Sequence, residues 1–360
     1  MGLVLSTVAA IVGLLLLLMA MPILRQGPNW ALDFLAYRDA ALRLGSDGSL
    51  YAAATLVDSF HPGPTGLYVY PPPLGISVSP LSGWSFEAGA TMWYLLHIVA
   101  LVATCALMPV QLSIRLAAFG VAAMSFAVLR DLTMGNVSVL LLLPMAVGWR
   151  WLDRPLGSVA LAIAASVRIS YGLYLIWFAL RRAWPQVVWM GAAGMALIVV
   201  SLPFVGIDGY RDYLTLLGNV GDTTGVLRNS DLASSALKLG VPGELAGWAL
   251  VPGFAVATAA VLLGLRRDAE VGYMITLGAS YLLTPLLWDH YLAMLVLPAS
   301  FVAARGRPWA LALPLLSWLP AVLLPFVLIL AALLPLAARD RKPDATGAVR
   351  IGTAPRAAPG

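Results

Sequence analysis

The run LVLSTVAAIVGLLLLLMAMPIL occupies residues 3–24 and contains no charged side chain. It is long enough to cross the apolar core of a bilayer, which takes about 20 helical residues. It lacks the basic start of a signal peptide, so we expect it to remain as a membrane-spanning helix. Similar apolar runs follow to about residue 336. The sequence therefore predicts an all-α polytopic membrane protein with about 11 to 12 transmembrane helices.

The composition excludes several classes of protein. Of the 360 residues, 61% are hydrophobic and 11% are charged, whereas globular domains carry about 25% charged residues. This excludes a cytosolic enzyme, a nucleic-acid-binding module and a disordered protein. One cysteine, Cys105, and three histidines supply neither a disulfide nor a cluster of metal ligands. We expect no cofactor and no resident metal, although the many carboxylates leave a divalent cation bridging carboxylate and phosphate open.

The charge pattern predicts the topology. Arg and Lys concentrate in short loops that face the cytoplasm if the N-terminus is cytoplasmic. This gives one integral membrane domain over 1–336 with outside loops at about 25–88 and 206–245, and a disordered cytoplasmic tail over 337–360. Polar chemistry is expected on the outside face, although long loops also need charges for solvation. Only five carboxylates fall inside: Asp153, Asp268, Glu270, Asp340 and Asp344.

The first outside loop opens with LDFLAYRDAALRLG, which begins at Leu32. Its leucines and alanines recur at helical spacing, which predicts a helix lying along the membrane surface. Asp33 at its start is a candidate general base, because a carboxylate at this boundary has a pKa that partial burial can tune. The alternative is an acid that stabilises a helix start. Asp39 stands four residues before Arg43, a spacing suited to a structural ion pair.

Two short polar segments follow. YVYPPPLG (68–75) fixes an extended backbone and can form a pocket wall or simply precede a helix. RDLTMGNVS (130–138) lies between two apolar runs, where Gly135 permits a tight turn and Asn136 offers a donor and an acceptor. Ordinary turn chemistry is the alternative for that segment.

Two further sites place polar groups at the membrane boundary. Arg168 interrupts an apolar stretch, and its guanidinium is suited to a lipid phosphate; the alternative is that it snorkels to the headgroups. TPLLWDHYL (284–292) groups Trp288, Asp289 and His290 between two apolar runs. His290 can relay a proton, bind a phosphate or orient a carboxylate. The aromatic residues there can also be members of an interfacial belt.

Taken in order, these motifs resemble glycosyltransferase family 87, the polyprenyl-phosphate-mannose-dependent mannosyltransferases of the GT-C fold. The resemblance runs over about residues 1–336. It rests on DF-x-x-Y (Asp33, Tyr37), YPPP (from Tyr70), the turn at Asn136, the cation Arg168, the pair Asn229 and Ser230, and WDHY (288–291).

The resemblance implies a GT-C-type bundle that transfers mannose or a related sugar, with inversion, from a polyprenyl-phosphate donor to a glycolipid or glycan hydroxyl. Its implied location is the plasma membrane, with the active site on the outer face and with membrane lipids, but no nucleic acid, as further partners. The expected roles are Asp33 as general base, His290 as a second catalytic residue, Arg168, Tyr70, Asn136, Trp288 and Asp289 in donor binding, and Tyr37, Asn229 and Ser230 in acceptor binding.

In the implied mechanism, polar side chains stabilise the charges that develop on the reacting groups. Asp33 would take the proton of the attacking hydroxyl, while Arg168 and His290 would stabilise the departing phosphate. A phosphate leaves without protonation by a strong acid, so one carboxylate is enough. Two other classes stay open. Broken short spans and an intramembrane Arg168 also suit a transporter or flippase of polyprenyl-linked sugars, and a structural or assembly protein would need neither Asp33 nor His290.

Overall fold

The computed structural model describes residues 2–61, 67–224, 226, 229–284 and 286–338. Within these residues the chain is mainly helical and contains no β-strand, apart from one isolated bridge between Phe60 and Val220. The predicted all-α polytopic class is confirmed. The tail predicted over 337–360 lies outside the described residues, except for its first two positions.

The α-helices are α1 (Leu3–Leu24), α2 (Leu32–Asp47), α3 (Ala53–Val57), α4 (Pro72–Ser82), α5 (Phe86–Leu107), α6 (Leu112–Met124), α7 (Phe126–Met134), α8 (Ser138–Arg150), α9 (Pro155–Val167), α10 (Leu173–Leu180), α11 (Trp184–Asn219), α12 (Leu232–Lys238), α13 (Gly243–Ala246), α14 (Leu250–Gly264), α15 (Ala269–Leu282), α16 (Val296–Ala304) and α17 (Leu324–Leu333). Short 3-10 helices occupy Ile169–Gly172, Gly247–Ala249, Asp289–Leu295, Pro308–Trp318, Ala321–Leu323 and Leu334–Ala337.

Among the described residues, four helical segments are long and apolar enough to cross a membrane: Leu3–Leu24, Phe86–Leu107, Trp184–Asn219 and Gly243–Gly264. The pair α6 and α7 makes a fifth if its 63° bend is counted within one span. These are fewer than the about 11 to 12 spans that the apolar runs predict. The reason is that several apolar runs are divided into short helices. α8 and α9, for example, have 13 residues each, about 20 Å at 1.5 Å per residue.

Ser125 causes the bend between α6 and α7. Its hydroxyl accepts a hydrogen bond from Val128 N at 3.4 Å, which caps the start of α7. Ala127 N donates to Ser317 Oγ at 3.2 Å, so a second backbone donor freed by the break is also satisfied. The broken helix is therefore a stable feature that directs α7 towards the turn at Gly135.

The short helices meet at one end of the bundle. α7 passes into α8 through the turn at 135–137, α9 ends at Arg168, and α15 leads into the 3-10 helix that begins at Asp289. The other end carries ion pairs and basic side chains. There Arg305 bonds Asp268 at 3.0 Å and Glu270 at 2.7 Å. The polar residues of the predicted site are thus separated from this second cluster by the length of α15 and α16.

The segment predicted to be the first outside loop contains α2, α3 and α4. α2 forms as predicted, and Ala36 and Ala40 of the predicted apolar stripe are buried, but the leucines of that stripe are not. The side chains that it buries in the protein include Phe34, Tyr37 and Ala41, spaced at i, i+3 and i+7, whereas Leu42 is 43% exposed. The ion pair predicted between Asp39 and Arg43 is wrong, because Arg43 Nη2 donates instead to Leu50 O at 2.9 Å.

The second outside loop begins inside a helix. α11 continues through Gly206, whose φ of 63° and ψ of −175° break the helical path, and ends at Asn219. The predicted loop over 206–245 is therefore partly helical, because only the kink separates its first part from the span. The two outside regions are joined by Ser49 Oγ, which donates to Asp212 Oδ2 at 2.9 Å, and by the backbone bonds between Phe60 and residues 219 and 221.

Candidate functional site

A cavity opens where α2, the segment before α4, α7 and residues 286–291 meet. It brings together most of the polar residues that the sequence singles out. Its wall is formed by Asp33, Ala36, Tyr37, Leu67, Val69, Tyr70, Arg130, Met134, Asn136, Leu286, Trp288, Asp289, His290 and Tyr291. The same cavity therefore holds residues from four distant parts of the chain.

Asp33 lies in the first turn of α2 and is half-buried at the wall of this cavity. Its Oδ2 accepts a hydrogen bond from Asn136 Nδ2 at 2.7 Å. Burial is the largest influence on the pKa of Asp33 and raises it, while the nearby His290 and the bond from Asn136 act in the opposite direction. A carboxylate with a raised pKa that faces a cavity is suited to accept a proton.

Asn136 is placed by the tight turn between α7 and α8. Gly135 adopts a φ of 68°, and a Cβ there would lie 3.0 Å from the Cβ of Phe34, so both the conformation and the close approach of α2 require glycine. The Asn136 amide also donates to Tyr70 OH at 3.0 Å and to Tyr37 OH at 3.3 Å. The turn predicted over 130–138 is confined to 135–137, because α7 continues to Met134 and α8 begins at Ser138, and it carries a central residue of the site.

Ser138 links this turn to Arg168. The Ser138 hydroxyl donates to Asn136 Oδ1 at 3.0 Å and accepts from Arg168 Nη2 at 3.1 Å. The chain of bonds therefore runs from Arg168 through Ser138 and Asn136 to Asp33. The sequence indicates the turn but does not show that Ser138 links the turn to Arg168. Serine is common at helix starts whether or not it has a functional role.

Arg168 is held at the end of α9 by aromatic residues. Its Nη1 donates to Tyr281 OH at 3.3 Å, and its guanidinium carbon lies 3.6 Å from the centroid of the Tyr291 ring. Only 7% of the residue is exposed. Snorkelling to the headgroups does not describe this side chain, because it is enclosed by Ser138, Tyr281 and Tyr291. It is a preorganised cation inside the bundle.

A second cavity of about 600 Å³ adjoins the first one and is lined by Arg168. Tyr70 and Tyr291 line both cavities, so their rings form the partition between them. Val69 and Leu286 are the other residues shared by both walls. Asp33 and Arg168 therefore face two compartments that meet at a pair of tyrosines.

An apolar groove continues from the second cavity. It has a volume of about 420 Å³ and runs between α9 and α10 on one side and α11 on the other. It shares Pro71, Ile169 and Tyr213 with the second cavity. Gly191 and Gly194 form part of its floor, and a Cβ at either position would meet no atom within 4 Å. The groove can therefore take a flexible apolar chain that ends near Arg168.

His290 and Asp289 form a second polar pair in the first cavity. Asp289 Oδ1 accepts from His290 N at 2.8 Å and lies 3.4 Å from His290 Nδ1. The opposite ring nitrogen, Nε2, is buried and makes no hydrogen bond with any described residue. Asp289 thus orients the ring while Nε2 is left for a bound molecule. Trp288 lines the same wall, as the sequence predicts.

Asn229 and Ser230 do not line either cavity. Asn229 Oδ1 accepts from Leu287 N at 2.9 Å, and Ser230 N donates to Leu287 O at 2.7 Å. Lys238 Nζ donates to Asn229 O at 2.5 Å. The acceptor-binding role expected for the two residues has no geometric support, because both are buried and fasten the second outside loop to the segment that carries Trp288 and His290.

Two lining residues belong to the sequence motifs but are assigned no role by them. Arg130 and Tyr291 line the first cavity, and Tyr291 also covers Arg168. The sequence indicates Tyr291 only by its place in WDHY, and a tyrosine there is equally typical of an interfacial aromatic residue. Within the described ranges no three His, Cys, Asp or Glu side chains come together as a metal site.

Comparison with protein-family models matches residues 68–298 to glycosyltransferase family 87. Tyr70, Asn136, Arg168 and His290 fall within the matched region, whereas Asp33 precedes it. Neither the search of curated proteins nor the search of solved structures found a match. The matched region covers more than half of the chain, and the helices around it are those of a membrane-embedded protein. The chain therefore belongs to glycosyltransferase family 87 and is a membrane glycosyltransferase.

Proposed function

We propose that the protein transfers mannose or a related sugar from a polyprenyl-phosphate donor to a hydroxyl of a glycolipid or glycan, with inversion at the anomeric carbon. The observation that carries this proposal is the pair of adjoining cavities. One exposes a carboxylate, Asp33, and the other a buried cation, Arg168, and Tyr70 and Tyr291 are among the residues that both cavities share. A hydroxyl acceptor needs a base and a phosphate donor needs a cation, and the two cavities hold these groups separately.

Asp33 acts as the general base. It lies on the wall of the first cavity with one carboxylate oxygen held by Asn136, so the other oxygen is oriented for an incoming hydroxyl. The hydroxyl loses its proton to Asp33 as its oxygen attacks the anomeric carbon, and the bond from that carbon to the phosphate oxygen breaks. The second carboxylate, Asp289, is engaged by His290. A single free carboxylate fits an inverting transfer.

Arg168 and His290 stabilise the phosphate as negative charge develops on it. Arg168 is fixed by Ser138, Tyr281 and the Tyr291 ring before any substrate arrives, so it need not reorganise during the reaction. His290 Nε2 approaches from the first cavity. Arg168 would contact the leaving phosphate from the second cavity and His290 would contact it from the first. The transferred sugar would then lie next to Tyr70 and Tyr291.

The polyprenyl tail lies in the groove between α9, α10 and α11. The groove is almost entirely apolar, and Ser166 and two tyrosines are its few polar side chains. A polyprenyl chain has no hydrogen-bonding groups, so a wall of this kind binds it without leaving polar atoms unsatisfied. Its opening between helices lets a donor enter from the bilayer, and the first cavity is left for the acceptor. We assign this end of the bundle to the outer face of the plasma membrane, because the opposite end carries the concentration of arginines.

Sugar transfer by the purified protein in detergent tests the proposal. The protein is given radiolabelled polyprenyl-phosphate mannose and a crude glycolipid extract, and the anomeric configuration of the product is determined. Formation of an inverted mannosyl product supports the proposal. If the protein binds the donor and moves it across vesicle bilayers without forming a product, the flippase function is supported instead. A product with retained configuration would contradict the assignment of Asp33 as a base.

A further inference from the structure

Two side chains one turn apart on α5 hold the turn that carries Asn136. Trp93 Nε1 donates to Gly135 O at 2.8 Å, and His97 Nε2 contacts Asn136 O. Gly135 and Asn136 are consecutive, so side chains of α5 contact two successive carbonyl groups of the turn. We propose that Trp93 and His97 are positioning residues for sugar transfer, which act by fixing Asn136 against Asp33. This inference rests on the proposed role of Asp33 as the base.

His97 is fully buried and bonded through both ring nitrogens. Nδ1 lies 2.7 Å from Trp93 O, and Nε2 contacts Asn136 O. A carbonyl oxygen only accepts, and a neutral imidazole donates from one nitrogen only. One ring N–H therefore donates to one of the two carbonyl oxygens, and the ring also contacts the other oxygen and Asp131 Oδ2, which lies 3.5 Å from Nε2. Removing the ring would release the turn from α5.

Asp131 also supports the turn, through the start of α8. Its Oδ1 accepts from Ser138 N at 3.2 Å and its Oδ2 from Val139 N at 2.9 Å, so it caps the start of α8. The carboxylate thus contacts His97 on one side and the first turn of α8 on the other. The position of Asn136 is thus fixed on both sides, at Gly135 directly before it and at Ser138 two residues after it.

Neither Trp93 nor His97 lines the cavity that holds Asp33. Both are buried behind the turn. His97 reaches the base through Asn136, whose Nδ2 lies 2.7 Å from Asp33 Oδ2, whereas Trp93 also packs against Phe34 and Tyr37 of α2. The bond from Asn136 is one of the influences that lower the pKa of Asp33. A change in His97 should therefore alter the titration of Asp33 without altering the donor site.

The charged and titratable groups around Asp33 come from several elements, and their contributions must stay constant in the test. They are His290 and Asp289 from the segment before α16, Arg130 and Asp131 of α7, Tyr37 of its own helix, and Tyr70 and Tyr291 at the partition. His97 is not among them. A change in His97 therefore acts on Asp33 through the turn and through Asp131, which His97 contacts.

The experiment is a double-mutant cycle on the full chain in detergent, with His97→Phe, Asn136→Ala and the double variant. The readouts are kcat, the donor KM and the acid limb of the pH profile. We expect His97→Phe to lower kcat about 10- to 100-fold, to leave the donor KM within about twofold, and to move the acid limb to higher pH. Because His97 acts through Asn136, the double variant should be no slower than Asn136→Ala alone. Additive losses, or a loss confined to KM, would overturn the inference.

Three further variants separate positioning from folding. His97→Gln keeps an N–H donor near the place of Nε2 and should restore part of kcat, while Trp93→Phe should reproduce the loss by releasing Gly135. Thr104→Val, which removes a buried hydroxyl elsewhere on α5 that makes no hydrogen bond, should match the parent protein. If His97→Phe does not fold, the pair His97→Gln and Trp93→Phe still decides the matter, since unchanged kcat in both would contradict the inference.

Infrared titration distinguishes this inference from the proposed function. The carbonyl band of protonated Asp33 is identified by its absence in Asp33→Asn, and its midpoint is followed in the parent and in His97→Phe. A midpoint that does not move would overturn the positioning role. A midpoint that moves while Asp33→Asn keeps full transfer would uphold the positioning role and contradict the assignment of Asp33 as the base.

Discussion

Asn136 Nδ2 donates a hydrogen bond to Asp33 Oδ2 over 2.7 Å, although the two residues are 103 positions apart in the chain. The same amide group accepts from Ser138 Oγ, which in turn accepts from Arg168. The proposed base and the proposed phosphate-binding cation are therefore held by one turn. Arg168 is also held by Tyr281 and by the Tyr291 ring, so a displacement of that turn acts first on Asp33.

The pH dependence of transfer should show an acid limb above the ordinary pKa of an aspartate, which is about 3.9. The base must be ionised to accept a proton, and burial raises the pKa of Asp33, so activity is lost as pH falls through that raised value. In Asn136→Ala the limb should move further up, because a bond that lowers the pKa is removed. Profiles of kcat/KM from pH 4 to 9 check this. A limb that stays in place in Asn136→Ala would contradict it.

Asp33→Asn should stabilise the fold at neutral pH. The pKa of Asp33 is higher in the folded chain than in the unfolded one, so the folded state binds more protons and loses stability as pH rises from about 3.9 through the folded pKa. The neutral amide does not titrate and avoids this cost. Thermal unfolding at pH 8 and at pH 4 measures the effect. The variant should melt higher at pH 8, with a smaller difference at pH 4, and a lower melting temperature at pH 8 would contradict the account.

Arg168→Lys should weaken use of the donor although it keeps the charge. A lysine cannot reproduce the planar fork that reaches Ser138 and Tyr281 together with a phosphate. We expect kcat/KM for the donor to fall about 10- to 100-fold, which corresponds to one charge-assisted hydrogen bond. Arg211→Lys, an exposed residue paired with Asp208, is the matched control and should match the parent. Equal activity of both variants would contradict donor binding at Arg168.

Gly194→Trp should obstruct the groove for the polyprenyl tail. The indole would occupy open space on the groove floor, and each methylene group kept out of the groove costs about 0.8 kcal/mol of binding. The donor KM should rise about tenfold or more, whereas a donor with a tail too short to reach Gly194 should be used normally. Val200→Trp, on an exposed part of α11 outside the groove, is the control. Equal effects on long and short donors would argue against this path for the tail.

Much of the fold can be predicted from the sequence because apolar runs and helix geometry are local properties. α1 is bounded as residues 3–24 indicate, and α2 begins at Leu32 as its periodicity predicts. What the sequence does not show is which face of α2 is buried, since its leucines and its Phe34–Tyr37 face are both apolar. The number of spans is also not local, because Ser125 and Gly206 break helices within apolar stretches.

The same distinction applies to the site. Asp33, Tyr70, Asn136, Trp288 and His290 are marked by short motifs, and the cavity brings them together. Asn229 is marked in the same way, yet its partners are the backbone of residue 287 and its own loop, which no pattern of side chains reveals. The support of the turn by His97 and Asp131 is likewise a product of tertiary packing, because the two residues lie on different helices, α5 and α7.

The most direct test of the central claim is sugar transfer by Asp33→Asn beside the parent and Asp39→Asn. Asp39 lies on the same helix, is partly exposed and does not line the cavity, so its variant controls for a changed charge on α2. Loss of a general base should lower kcat by about 10²- to 10⁴-fold in Asp33→Asn while binding of the polyprenyl-phosphate donor persists, and Asp39→Asn should remain active. Transfer by Asp33→Asn at the parent rate would contradict the account.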